Sequence, residues 1–272
     1  MADAEIAVIG GSGLYDTDML EDAKEISAVT PFGAPSDAII VGAYKGKRVA
    51  FLPRHGRGHK FPAHLVNYRA NIWALKQLGV KRILASNACG SLQEHFRPGE
   101  LVLVDQFIDR TKSRASSFYE GKAAVHLREH GLDRTCHISM ADPFCHDLRF
   151  HLAKVAQQLN LPFHTAGTYV CIDGPRFSTR AESRLFRAWG GDVIGMTVFP
   201  ECVLAREAGM CYAAVALVTD YDVWAERPVE LNEVLRVMGE NSAKARRLFA
   251  AAIESLPEPA CKCKEAIKTA LI

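Results

Sequence analysis

Short apolar runs, punctuated by glycine and polar clusters, recur along the chain and predict strands near 5–10, 38–43, 48–53, 82–86, 101–107, 165–172, 192–195 and 211–219. Longer segments between and after them predict helices over 63–78, 145–159, 179–189, 199–208 and 229–255. Gly79 supplies a stop for the first helix, and Pro228 opens the last where a missing N–H costs least. A strand-rich first half gives way to strands alternating with helices. This order predicts an α/β fold: a single three-layer domain with a mixed β-sheet flanked by helices. The domain is expected over 1–256, with 257–272 as a C-terminal tail packing on the body. Chemistry in such a fold belongs to the loops at strand C-terminal ends.

Composition narrows the class. The 272 residues suffice for a substantial core, and the net charge is only +2 with both signs scattered. No basic run speaks for nucleic acid and no apolar run is long enough to span a bilayer; the longest, Met210 to Val218, is far too short. Asp3 and Glu5 are unlike a signal peptide, so the expected compartment is the cytosol. Six of the eight cysteines are dispersed, many in apolar stretches, and read as small buried hydrophobes. Cys261-Lys262-Cys263 differs, lying in a polar tail after Pro257 and Pro259. No second pair at metal-ligand spacing accompanies it, so no metal is expected. The tail cysteines are expected to be oxidised, to each other or to a body cysteine such as Cys202.

Four loops carry candidate chemistry. Gly10-Gly11-Ser12-Gly13 follows the first strand; it lacks the third glycine of a dinucleotide fingerprint and any P-loop lysine. It is a plain strand-to-loop turn or an anion cradle of backbone N–H groups. Arg54-His55-Gly56-Arg57-Gly58-His59 is a solvated basic turn or an anion site, because arginine forks match phosphate oxygens. Asn87-Ala88-Cys89-Gly90 ends another strand with small residues that permit close contact. Thr219-Asp220-Tyr221-Asp222 follows the most apolar strand. Its acids either face solvent or include a partly buried carboxyl of raised pKa that donates a proton to a bound base. Phe177, in Ile172–Ser178, is core or a stacking surface for a flat ligand.

These blocks stand in one order along nearly the whole chain: GGSGL, TPFGAPSD, RHGRGH, VNYRANIWALK, NACGSL, DQFIDRT, ADPFC, GPRFSTRAES, Met196-Thr197, Pro200-Glu201 and TDYD. Together they resemble the trimeric purine nucleoside phosphorylase family, in its methylthioadenosine-cleaving branch; the CxC tail is similar to that of archaeal thermophilic members. The resemblance implies that 5'-methylthioadenosine and phosphate yield adenine and 5-methylthioribose 1-phosphate, with adenosine also accepted. It implies no cofactor, phosphate being a co-substrate, and a homotrimer or a homohexamer of two trimers.

By resemblance, Ser12, Arg54, His55, Asn87, Ala88 and Thr197 take the phosphate positions, and Met196 lies under the ribose. Phe177 and Ser178 line the base pocket with Ala88, Cys89 and Gly90. Asp220 and Asp222 read adenine, and a carboxyl pair there suits an amino group better than a 6-oxo group. His137 is lent by a neighbouring subunit to the methylthio pocket, where Leu231 falls near the apolar position. Asn87 departs from the pattern, which usually has a hydroxyl there, and the 125–135 insertion is longer than usual. A 6-oxopurine nucleoside phosphorylase on the same fold is the nearest alternative, and a non-catalytic purine-binding protein a more remote one.

Overall fold

The computed structural model describes residues 3–11, 19–225 and 231–272. Two positions singled out above, Ser12 and Pro228, lie outside the described residues, as does the Leu231 side chain.

The strands are β1 (Ile6–Gly10), β2 (Glu21–Ile26), β3 (Ile39–Tyr44), β4 (Lys47–Pro53), β5 (Arg82–Ser91), β6 (Leu101–Leu103), β7 (Gln106–Arg110), β8 (Phe163–His164), β9 (Thr168–Ile172), β10 (Val193–Gly195) and β11 (Cys211–Asp220). The helices are α1 (Tyr68–Gln77), α2 (His146–Gln158), α3 (Arg180–Ala188), α4 (Glu201–Glu207) and α5 (Leu231–Glu254). The strands form one mixed sheet in the order β2-β3-β4-β1-β5-β10-β9-β7. β11 branches from β5, and β6 and β8 continue from β11. β4, β1, β5 and β11 run parallel, so their C-terminal ends open on one side.

The central strands are buried on both faces. Along β1, Ala7 and Ile9 face one core while Ile6 and Val8 face the other. The first core is completed by Ile72 and Leu75 of α1 and by Cys202 and Leu204 of α4. The second is completed by Leu148 and Leu152 of α2 and by Leu248 and Phe249 of α5. This alternation is the period-two signature of a strand between helical layers, and it makes the predicted three-layer α/β arrangement. Among the described residues, no helix is long and apolar enough to cross a membrane.

The structure departs from the expected elements in several places, and β5 runs on to Ser91 rather than ending near 86. β2 reads Glu-Asp-Ala-Lys-Glu-Ile and is almost wholly exposed; it is a charged edge strand with no apolar run to reveal it. The single strand expected over 101–107 is two, because β6 pairs with β11 and β8 whereas β7 pairs with β9. The chain changes partner at Asp105, whose Oδ1 accepts the Gly167 N–H at 2.8 Å. The first helix starts at Tyr68 rather than at 63, where the Asn67 side chain caps it by accepting from the Ala70 N–H. The tail carries a short 3-10 segment, Cys263–Thr269.

The expected oxidation of the tail is not borne out, since all eight cysteines are free thiols. Cys202 is no partner for the tail: it lies in the α1/α4 core, whereas Cys261 and Cys263 pack against the α2/α5 core.

Candidate active site

The open side of the sheet gathers the loops that follow β4, β5, β9, β10 and β11. Ala88 shows what they surround. It is exposed in the middle of β5, between buried Asn87 and buried Cys89. An exposed alanine within a central strand marks the wall of a cleft.

One end of the cleft is built on Arg54, whose side chain is only 2% exposed. Nε and Nη2 donate to the two carboxylate oxygens of Glu201, both at 2.7 Å, and Nη1 donates to Ser86 O at 2.8 Å. The Tyr212 hydroxyl donates to Glu201 Oε1 at 2.8 Å. Burial opposes the guanidinium's charge, but the Glu201 carboxylate more than offsets this and raises its pKa. These three bonds leave two of the five N–H donors of a guanidinium for a ligand.

His55 stands beside Arg54. Its Nδ1 donates to Phe61 O at 2.8 Å, because a carbonyl can only accept. Its ring stacks on His59 with centroids 4.3 Å apart. Burial, then the Arg54 charge, pushes its pKa down to about 4, so at neutral pH the ring is uncharged and Nε2 carries a lone pair. Asn87 and Thr197 complete this end: Asn87 Nδ2 donates to Thr197 Oγ1 at 2.8 Å. With its oxygen already accepting, the Thr197 hydroxyl keeps its proton to donate. The Asn87 Oδ1 is buried without a partner.

The other end is built on the two aspartates after β11. Asp220 Oδ2 accepts the Thr219 hydroxyl at 2.7 Å, and Oδ1 accepts the Asp222 N–H at 2.8 Å. Asp222 adopts φ +47°, unusual for a residue with a side chain. Its Oδ2 is buried with no hydrogen-bond partner, although the Ser183 hydroxyl is near enough to lower its pKa somewhat. Burial is the largest influence on both carboxyls and pushes both pKa values up. Gly90 permits this crowding: a Cβ there would lie 2.9 Å from Asp220 Oδ1 and 3.3 Å from Asp222 Cβ.

Between the ends lie Met196 and the loop from Gly174 to Ser178. A Cβ at Gly174 would fall on the Met196 sulfur. Phe177 is 53% exposed, so it is not a core residue, whereas the Ser178 hydroxyl is buried and unpartnered. His137 is held in another neighbourhood, its N–H donating to Ala270 O at 2.8 Å beside the Cys136–Leu271 bridge.

Sequence reasoning passed over Glu201, Tyr212 and Arg114 as site residues. Glu201 had a readable signal, since a glutamate leading into Cys-Val-Leu-Ala demands a buried partner. Arg114 had none. Its Nη1 donates to Met196 O and Phe199 O, both at 2.6 Å, and its Nη2 to Asp173 O at 2.9 Å. One buried guanidinium thus ties the loop carrying Met196 to the loop carrying Phe177.

Comparison with known proteins places this geometry. Residues 5–254 match the family model described as the phosphorylase superfamily. The chain is 56% identical to the S-methyl-5'-thioadenosine phosphorylase of Hyperthermus butylicus, over 99% of this chain and 96% of that one. It is 52% identical to the enzyme of that name from Saccharolobus solfataricus, over 99% and 97%. Among solved structures, the methylthioadenosine phosphorylase of Schistosoma mansoni in complex with adenine superposes with a TM-score of 0.89 at 39% identity, covering 97% of this chain and 96% of that one. A family model matched over residues 5–254 and a fold shared almost from end to end leave one assignment: the chain belongs to the phosphorylase superfamily.

Proposed function

We propose that the chain catalyses phosphorolysis of 5'-methylthioadenosine, releasing adenine and 5-methylthioribose 1-phosphate. The relatives and neighbours at 36–56% identity carry methylthioadenosine phosphorylase in their names, which supports the reaction class. The observation that carries the reading is the contrast between the cleft's ends, a fixed buried cation at Arg54 and two buried carboxyls of raised pKa at Asp220 and Asp222.

Phosphate lies at the Arg54 end, bound by the two remaining guanidinium N–H groups and the Thr197 hydroxyl. His55 Nε2 accepts a hydrogen bond from a protonated phosphate oxygen. Cleavage of the glycosidic bond builds positive charge on the ribosyl carbon, as in glycoside hydrolysis. A phosphate oxygen bonds to that carbon, and the breaking C–N bond leaves its electron pair on adenine. Asp220, when protonated, delivers its proton to N7 of the departing base. Asp222 Oδ2, a buried acceptor with no partner of its own, takes the N6 amino hydrogen. A 6-oxo group would set acceptor against acceptor there, at a cost of about 1–3 kcal/mol. Phe177 covers the base, Met196 lies under the ribose, and Ala88, Cys89, Gly90 and Ser178 line the pocket.

His137, whose N–H donates to Ala270 O, serves a neighbouring subunit's methylthio pocket together with Leu231. A site completed in this way requires a closed oligomer, a trimer or a pair of trimers. No cofactor enters the scheme.

The test is base release from methylthioadenosine, adenosine and inosine, each with and without inorganic phosphate. Phosphate-dependent adenine release with methylthioadenosine best and inosine poor is expected. Inosine as the best substrate would overturn the roles given to Asp220 and Asp222. Release from none of the three would overturn the enzymatic reading.

A further inference from the structure

Asp222 holds a backbone conformation that a residue with a side chain rarely adopts, φ +47°. Such a conformation persists only where the surroundings fix the chain on both sides of it. On the entry side, β11 pairs with β5 as far as Asp220 opposite Gly90, and the Asp222 N–H donates to Asp220 Oδ1. On the exit side, Asp222–Trp224 form one short 3-10 turn, and the hold passes to a side chain. Trp224 Nε1 donates to Ser91 O at 2.7 Å.

This acceptor is rigid. Ser91 is fully buried and is the last residue of β5, opposite Val193 of β10. The Trp224 ring packs against the small core of Leu92, Val170, Phe186 and Ile194. The Arg187 guanidinium of α3 lies over the same ring, 3.8 Å from its centroid, and Arg187 Nη1 is buried without a hydrogen-bond partner. A planar guanidinium gains from an aromatic face both by charge and by stacking. Ser183, one turn earlier on α3, places its hydroxyl beside Asp222. One face of α3 therefore meets both ends of the turn.

We propose that Trp224 is a positioning residue for phosphorolysis: its indole N–H, donated to Ser91 O beneath the Arg187 guanidinium, holds Asp222 in the left-handed conformation that presents Oδ2 to the amino group of adenine. The inference rests on the reading of Asp222 as the acceptor of that amino group. Without the anchor, the backbone at Asp222 returns toward ordinary φ and its carboxyl swings away from the base. The Arg54 end, built on other strands, is untouched.

The experiment uses the full chain and measures kcat/KM for adenosine and for inosine at saturating phosphate, together with the KM for phosphate. Trp224→Phe keeps an aromatic ring and removes the N–H. It should lower the preference for adenosine over inosine about 2–10-fold, the worth of one ordinary hydrogen bond, and leave the KM for phosphate unchanged. Arg187→Lys, which keeps the charge and loses the plane, should lower the preference in the same direction by less. A merely structural role would reduce the active fraction, scale both substrates equally and leave their ratio alone. Combined with Asp222→Asn, Trp224→Phe should change the ratio no further, because both act through one carboxyl. An unchanged ratio in Trp224→Phe beside a changed one in Asp222→Asn would overturn this inference alone, as would fully additive losses in the double variant. An unchanged ratio in Asp222→Asn itself would overturn the reading of Asp222, and this inference with it.

Discussion

The two ends of the cleft manage buried charge in opposite ways. At the Arg54 end the charge is kept: Glu201 neutralises the guanidinium, Ser86 O accepts from it, the Tyr212 hydroxyl donates to Glu201, and the pair is almost wholly hidden from solvent. At the Asp220 end the charge is discouraged: burial raises both carboxyl pKa values, and Asp222 Oδ2 lacks a partner. The first end has its charge balanced before any ligand arrives, with two guanidinium N–H groups left for one. The second is finished only by the ligand. Fixed charge suits binding a permanent anion, whereas suppressed charge suits giving up and taking back a proton.

Breaking the finished end should cost the most stability. Glu201→Gln leaves a buried guanidinium without its counter-charge, and loss of one member of a buried pair costs about 3–5 kcal/mol. Chemical denaturation should show that loss, together with a raised KM for phosphate. Wild-type stability in this variant would mean that Arg54 is not held as the structure has it.

The unfinished end should respond in the other direction. A carboxyl whose folded pKa lies above its unfolded value stabilises below the unfolded pKa and loses that contribution as pH rises. Asp222→Asn removes a cost present at neutral pH, so its melting temperature at pH 7 should equal or exceed that of the wild type, with the gain shrinking toward pH 4. Its preference for adenosine over inosine should fall about 10–100-fold, the equivalent of one lost buried hydrogen bond. Asp220→Asn should lower kcat about 10²–10⁴-fold, the usual worth of a general acid. A destabilised Asp222→Asn with intact base preference would remove the contrast between the two ends.

Much of this contrast was legible in the sequence. The strand-end positions of Arg54 and Asp220 follow from apolar runs that stop where polar residues begin, whereas β5 runs on through Asn87 to Ser91. Partial burial of Asp220 and Asp222 was one of two readings of the apolar strand before them, and the structure selects it. What the sequence hid depends on pairings far apart in the chain. Glu201 meets Arg54 across 147 residues, and Arg114 reaches Met196 across 82; no local pattern encodes either. Cys202 looked as suitable a partner for the tail as Cys211. The face of the sheet that each packs against separates them, and that is a tertiary fact.

Gly90 offers a finer probe of the Asp220 end. A methyl group at this position would meet Asp220 Oδ1 at 2.9 Å and the Asp222 backbone N at 3.3 Å. These atoms are tied to each other by the Asp222 N–H bond and cannot move independently. Gly90→Ala should therefore cost about 1–3 kcal/mol of stability, the usual range for overpacking. It should also lower kcat more than it raises the KM for phosphate, because the Arg54 end is untouched. Equal effects on both would show that the two ends are mechanically coupled.

His55 gives the smallest expected effect and lies on the boundary between the two strategies. It belongs to the Arg54 end, yet its own charge is suppressed, with a folded pKa of about 4. The unfolded chain, with a histidine pKa of about 6.5, binds more protons between these values. Stability from this group is therefore complete above about pH 6.5 and lost progressively as pH falls toward 4, by roughly 1–3 kcal/mol in total. His55→Gln keeps a donor and an acceptor but cannot titrate. The difference in unfolding free energy between wild type and variant should be constant from pH 7 to 8 and should narrow steadily from pH 6.5 to 4.5. A difference that stays flat through the acid range would mean that the ring is protonated in the folded protein. The lone pair assigned to Nε2 in the phosphate site would then be wrong, and His55 would be a second cation beside Arg54.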